Sequence, residues 1–355
     1  MLHSIFDGHP AVVSNPGLLT LANDTLASGL AASTRKVYGS AWRKFVNWSV
    51  THSGQGFISV LPASEVTIAM FIIFESAFVG HSSIRTALAA IRSAHIEAGF
   101  HNPLQNAPLL ERVVRAVKRS DLRTPRMIRR PITTYLLSLL KPLLDLQGSH
   151  NDRCFWSAAT AGVFGLLRAG EFLSQSKSKV VLKARNFTWA TVGRSHGIVR
   201  LEVSKTDIFR EGVDIHLFRN GSQVCPIEAM ESYLQRSNVL LTGDGSLFRL
   251  EDGSTLTRAW MIPRMRSLLG QLSLPASSYS GISFRKGGAM SLHLAGVPTR
   301  TIKAMGRWRS ECYRLYIAHS DMDLFEAGKA MATVDGSHGR LVFGRFDQDS
   351  LFLHN

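Results

Sequence analysis

GISFRKGGAMSLHLAGVPTRTIKAMGRWRSECYRLYI, residues 281–317, is the stretch on which the reading of the chain turns. Arg285 and Lys286 fall in the first turn of an expected helix over 283–295. Gly287 and Gly288 let another backbone approach that helix closely, and Gly296 ends it. Pro298 and Thr299 open a second helix over 298–305, with more helix expected around 309–317. Arg307, Trp308, Tyr313 and Tyr316 then fall within ten residues of one another. A tryptophan beside an arginine, with tyrosines close by, reads either as core packing or as a functional cluster.

Upstream, GLLRAGEFL (165–173) sets Arg168 in a long apolar helical pattern over 153–173. An unpaired charge there is very costly, so Arg168 either pairs with Glu171 or reaches a cleft. Residues 179–218 switch to strand-like alternation in VVLKA (180–184), GIVRLEVS (197–204) and VDIHLF (213–218). Lys205, in SKTDIFREG (204–212), lies between the last two patterns. It is either a solvated hairpin lysine or a reactive one. Helices are also expected over 132–146, with Pro142 as a kink or end, and over 226–236 and 257–270.

The N-terminal third is helical in pattern. Residues 1–20, rich in Gly, Pro, Ser and Asn, read as a loose arm. A helix then starts where Ser33 or Thr34 can cap, with Tyr38, Trp42, Phe45 and Val46 on one face. Further helices follow over 63–78, 83–98 and 107–119, the second stopped by Gly99. The expected organisation is a flexible arm (1–20), a helical domain (21–120), a basic linker (121–131), a mixed α/β domain (132–332) and a tail (333–355). The fold class is mainly α with a small antiparallel β-sheet.

Charge sharpens this plan. The 355 residues carry 41 Lys+Arg against 26 Asp+Glu, a net +15, with 45% hydrophobic residues. That balance describes folded domains with a polyanionic partner rather than a disordered chain. Residues 31–130 hold 14 basic and 5 acidic residues, so +9 of the excess sits there. Its candidate phosphate-facing cations are Arg35, Lys36, Arg43, Lys44, Arg115, Lys118, Arg119, Arg123, Arg126, Arg129 and Arg130, with Lys286 beyond them. The run from Arg112 to Arg130 reads as a solvated linker or as one side of a grip on a phosphate backbone. Cys154, Cys225 and Cys312 are far apart, fit neither a disulfide framework nor a zinc site, and are expected to be buried thiols. The longest apolar runs, 66–74 and 155–167, are too short to span a bilayer, and residues 1–17 lack a secretory pattern. A soluble intracellular protein is expected, with no membrane partner.

Taken in order, Arg-x-x-Glu on a helix, a lysine between strands, Ser-Phe-Arg opening a helix and Gly-Arg-Trp followed by a tyrosine resemble the tyrosine recombinase (phage integrase) family. The wording of GLLRAGEFL, SKTDIFREG, SFRKGGA and GRWRSECYRLYI is closest to the eukaryotic mobile-element branch, crypton-like and DIRS-like. STRKVYGSAWRKFVNW (33–48) is similar to the first helix of that family's core-binding domain, and the resemblance covers roughly residues 30–320.

The resemblance implies a two-domain DNA clamp and site-specific recombination or integration through a 3′-phosphotyrosyl intermediate. Arg168 and Arg285 would grip the scissile phosphate, with Glu171 orienting the first. Lys205 would protonate the leaving 5′-oxygen, and Tyr316 would attack phosphorus. Trp308 is favoured as the phosphate-contacting or packing residue, with Arg307 the alternative and Tyr313 the rival nucleophile. No metal or cofactor is implied, because arginines supply the charge. Partners would be double-stranded DNA and further copies of the chain, two on a site and four in synapsis, with 321–331 a candidate for exchange between neighbours. The location would be the nucleus.

One position departs from the family pattern. His-x-x-Arg is expected, and Ile282 stands three residues before Arg285. Isoleucine neither donates a hydrogen bond nor moves a proton. His293 and His319 are the nearest histidines that the pattern offers. A recombinase-derived DNA-binding protein with weakened or lost cleavage is therefore the first alternative. Relaxation of DNA by a type IB topoisomerase-like chain is the second, and a basic helical scaffold the third.

Overall fold

The periodicity that begins near Ser33 becomes a long helix, Ala32–His52, which closely follows another, Gly17–Ser28. The computed structural model describes residues 5–6, 8–54, 56–121, 128–203, 207 and 211–317. It divides into two units, Met1–Arg126 and Met127–Asn355.

Among its described residues the first unit has helices and no strand: α1 (Pro10–Ser14), α2 (Gly17–Ser28), α3 (Ala32–His52), α4 (Glu65–Ser76), α5 (His81–Glu97) and α6 (Pro108–Ser120). Two expectations change here. The arm contains α1 and the start of α2, with Pro10 at the first position of α1. The cap of α3 is Ala31, with Ser33 and Thr34 inside the first turn. The core of the unit is aromatic. Phe45 meets Phe71 edge-on at 5.0 Å, and Trp48 packs against Phe71 at 5.5 Å. His95 is fully buried in the same unit. Its Nε2 accepts from the amide of Ala63 at 2.9 Å, so Nδ1 carries the proton donated to the Ile91 carbonyl at 2.8 Å. Burial lowers the pKa of this neutral ring.

The second unit wraps helices around α8 (His150–Phe164), buried on all sides from Asp152 to Val163. Before it comes α7 (Thr134–Leu140), ended by a 3₁₀ turn at Pro142. After it come α9 (Ala169–Phe172), the strands β1 (Phe187–Trp189), β2 (His196–Leu201) and β3 (Val213–Phe218), and then α10 (Pro226–Gln235), α11 (Arg258–Gln271), α12 (Ile282–Leu294) and α13 (Thr299–Gly306). The sheet is antiparallel in the order β1-β2-β3, with Phe187 opposite Val199 and Val199 opposite Ile215. Phe187, Val199, Leu201, Ile215 and Leu217 face the core, while Asp214, His216 and Phe218 alternate outward.

The sequence pattern needs three corrections in this unit. VVLKA is not a strand of the sheet. Lys183 forms an isolated bridge with Ser246, and a 3₁₀ turn at Ala184–Asn186 ends it, so the first strand lies later, at Phe187–Trp189. The single helix expected over 153–173 breaks at Gly165, where Leu166 takes φ +44° and α9 restarts behind Arg168. Among the thiols, Cys154 and Cys225 are buried but Cys312 is exposed. Lys205, Arg123, Arg126, His319 and the segment 321–331 lie outside the described residues.

The glycine pair of α12 does what its spacing suggests. A Cβ on Gly287 would stand 1.7 Å from the Ile132 carbonyl oxygen, and one on Gly288 would stand 2.1 Å from that of Val163. Helix α12 therefore lies directly on the main chain of its neighbours. That close approach sets the depth at which Arg285, two residues earlier, enters the unit. Among the described residues no helix is long and apolar enough to cross a membrane.

Candidate active site

Breaking the helix at Gly165 brings three arginines together around one carboxylate. Arg168 becomes the residue that caps α9, and its amide donates to Glu171 Oε2 at 2.7 Å. Its Nη1 donates to Oε1 of the same residue at 2.8 Å. Arg307 arrives from the other side. It ends α13 in the left-handed region, at φ +58° and ψ +39°. Its Nη2 donates to Glu171 Oε2 at 3.1 Å and to the Leu166 carbonyl at 2.8 Å.

Arg285 is the deepest of the three, 2% exposed. Its Nη1 donates to the Leu166 carbonyl at 2.6 Å, and its Nη2 donates to the carbonyl of Gly306. The Trp308 ring lies over its guanidinium at 4.5 Å and the Tyr316 ring at 5.8 Å. The two rings pack on each other at 5.1 Å.

Three positive charges thus share one buried negative charge, Glu171. Burial, reinforced by Arg168 and Arg307, pushes Arg285 down to about 10. Burial likewise lowers Arg307. Both remain protonated at neutral pH. Six buried side-chain nitrogen or oxygen atoms lack a partner among the described residues, and three of them are Arg285 Nε and Arg307 Nε and Nη1. A buried donor left unmade costs about 1–3 kcal/mol. Half of these orphans fall in a cluster with surplus positive charge, which is where an anion would satisfy them.

The two tyrosines separate cleanly. Tyr313 is buried, with Lys303 Nζ 5.8 Å from its ring and its phenol beside Glu311 and Arg314. Tyr316 ends the 3₁₀ turn Glu311–Leu315 and lies on Trp308 near Arg285. Ile282 is 42% exposed at the first position of α12, one turn before Arg285. His293 sits in the last turn of the same helix, roughly 16 Å further along at 1.5 Å per residue.

Solved structures with this arrangement of elements include the XerH site-specific recombinase bound to its difH substrate. In the pre-cleavage complex the TM-score is 0.54 at 16% identity, covering 83% of this chain and 79% of that one. In the post-cleavage complex, on a palindromic difH substrate, it is 0.54 at 16% identity, covering 76% and 70%. The fold is that of the tyrosine recombinases. A lambda integrase dimer bound to a COC′ core site also matches, with a TM-score of 0.47 and 14% identity over 88% of this chain and 83% of that one. A scan against protein-family models and a search of characterised proteins find no match.

On this recombinase-like fold the remaining cations divide. Arg35, Lys36, Arg43 and Lys44 on α3, and Arg115, Lys118 and Arg119 on α6, are exposed. Helix α6 buries Leu110 and packs Val113, Val114 and Val117 inward, leaving its basic face outside. Three others are engaged within the second unit. Arg129 Nη1 donates to the Ser277 carbonyl at 2.5 Å, the Arg130 amide donates to the Ser278 carbonyl, and Lys286 Nζ donates to the Arg129 carbonyl at 2.9 Å. Burial lowers the pKa of Lys286. Arg129 and Lys286 thus use their charged groups as a clasp beside α12, whereas Arg130 is held by its amide alone and is itself exposed.

Sequence reasoning missed the Leu166 carbonyl, which accepts from both Arg285 and Arg307. Every residue has a carbonyl, so residue type gives no signal for it. For the position after Gly306 it favoured Trp308 as the phosphate-contacting or packing residue and kept Arg307 as the alternative. The structure gives Arg307 the carboxylate and Trp308 the packing face.

Proposed function

We propose that the chain is a tyrosine recombinase that cuts and rejoins duplex DNA, of the kind found in eukaryotic mobile elements. The observation that carries this reading is the gathering of Arg168, Arg307 and Arg285 around Glu171, with Tyr316 over Arg285 and orphan guanidinium N–H groups between them.

In the proposed reaction, the Tyr316 hydroxyl attacks a backbone phosphorus. The Oη–P bond forms as the bond to the 5′-oxygen breaks, and the phenol proton passes to solvent water. Lys205 supplies a proton to the departing 5′-oxygen. The guanidiniums neutralise charge that builds on the non-bridging oxygens, where their planar forks match two oxygens at once. A 5′-hydroxyl of another strand then attacks the phosphotyrosyl bond and releases Tyr316. Because Tyr316 and Trp308 cover Arg285, cleavage requires the tyrosine ring to leave that face as the phosphate arrives. The exposed basic faces of α3 and α6 hold the duplex, and the active assembly contains several copies in the nucleus.

A duplex with a nick beside the cleavage site traps the covalent step. The wild-type chain is expected to give a DNA–protein band, and Tyr316→Phe none. A band that survives in Tyr316→Phe moves the nucleophile elsewhere, Tyr313 first. A second reading, DNA binding with cleavage weakened or lost, is favoured by the exposed Ile282, whose side chain offers no proton and no donor. Under that reading the band forms only after Ile282→His.

A further inference from the structure

A second concentration of cations lies at the opposite end of α8, in a pocket of about 380 Å³. Arg153 forms one wall, 7% exposed. Its Nη1 donates to the carbonyls of Leu146 at 3.2 Å and Gln147 at 2.9 Å, while its Nε is buried without a partner. Arg236, which ends α10, gives Nη1 to the Gln147 carbonyl at 2.7 Å. Arg249 gives Nε to the Gly253 carbonyl at 3.1 Å. His150 completes the wall by turning Nε2 to the Arg249 carbonyl at 3.0 Å.

Each guanidinium is therefore tethered through one edge to main-chain carbonyls, which fixes its plane and leaves its other N–H groups uncommitted. None of the three takes part in an ion pair among the described residues, and Glu251 is the one carboxylate in the lining. Holding the turn at Leu146–Gln147 accounts for one edge of Arg153 and of Arg236. It accounts for neither Arg249 nor the orphan Nε of Arg153. Tethered, unpaired guanidiniums around a concave volume match the tetrahedral oxygens of phosphate.

We infer that this pocket binds a phosphate group, as a site separate from the arginine cluster at Glu171. Arg153 stands about 16 Å along α8 from Phe164, where that helix ends. The ligand class is a phosphate mono- or diester, either on a small phosphorylated molecule or on the backbone of bound DNA. The site does not depend on the recombinase reading.

Calorimetric titration of the full chain with pyrophosphate tests this. Wild type is expected to bind, and Arg168→Gln, at the other cluster, is expected to keep that binding. The pair Arg236→Gln and Arg249→Gln is expected to weaken it about a hundredfold, roughly tenfold for each charge-assisted hydrogen bond removed. Arg236→Gln alone should cost about tenfold and guards against a folding defect in the pair. Pyrophosphate binding that persists with duplex DNA present assigns the pocket to a free phosphorylated ligand. Binding blocked by duplex, with duplex affinity reduced in the pocket variants, assigns it to the DNA backbone. Absence of binding to wild type, binding unaltered in the pocket variants, or binding abolished by Arg168→Gln overturns the site.

Discussion

On α6, Arg112, Arg115, Lys118 and Arg119 stand exposed on a helix whose valines pack inward. Around Glu171, Arg168, Arg307 and Arg285 are drawn into the protein and tied to a carboxylate and two carbonyls. The same side chain serves both regions at very different cost. The exposed set keeps its hydration, acts through the summed field and is screened over about 8 Å at physiological salt. The buried set has lost water, which is why Arg285 and Arg307 titrate lower than free arginine. Surface cations can be moved by a turn of helix with little loss. Buried ones hold one geometry, and geometry is what phosphoryl transfer needs.

The largest effect that would sharpen this contrast comes from Arg285→Gln. Removing a buried, preorganised donor is expected to slow covalent adduct formation by roughly 10²–10³. Duplex affinity should change far less, as read by parallel cleavage and binding assays. A variant that lost binding and cleavage together would erase the distinction. Next is the neutralisation of Arg115, Lys118 and Arg119 to Gln. Binding to every duplex is expected to weaken alike, and the slope of log K against log salt should fall by about 0.9 for each phosphate no longer neutralised. The melting temperature should hardly move, because these side chains are exposed. A steep loss of stability instead would place these cations among the buried kind.

The smallest effect concerns a buried group outside the proposed site, His95. Its folded pKa is depressed, so the unfolded chain takes up the proton first as pH falls below about 6.5. Stability is therefore full above that pH and declines as the pH is lowered from there. Hydrogen exchange at the Ala63 amide, read between about pH 7.5 and 5.5, should show this decline in wild type and a shallower one in His95→Gln. An equal slope in both would mean that the ring does not stay neutral.

How far the sequence could be read follows the same division. Periodicity alone marked α3 to α6, α10, α11, α12 and α13 within a few residues, because their buried faces recur at helical spacing. The order of Arg168, Arg285, Arg307 and Tyr316 was legible only through the resemblance to the tyrosine recombinases, because each of these residues alone also reads as packing or as a structural ion pair. The break after Gly165 was not. Residues 155–167 are apolar on both sides of it, and only the tertiary need to bring Arg168 and the Leu166 carbonyl to α12 and α13 bends the chain there. VVLKA has strand chemistry without a strand partner, and partners are a property of the fold. The division of labour between Arg307 and Trp308 depends on the left-handed backbone at Arg307, unusual for a residue with a side chain and therefore invisible to propensity.

Central to the proposed mechanism is that Tyr316 meets phosphate at the three-arginine cluster. Digestion of the trapped DNA–protein adduct, followed by mass spectrometry of the nucleotide-bearing peptide, measures this directly. The modification is expected on Tyr316. A nucleotide carried by Tyr313, or by a residue remote from Arg285, would contradict it.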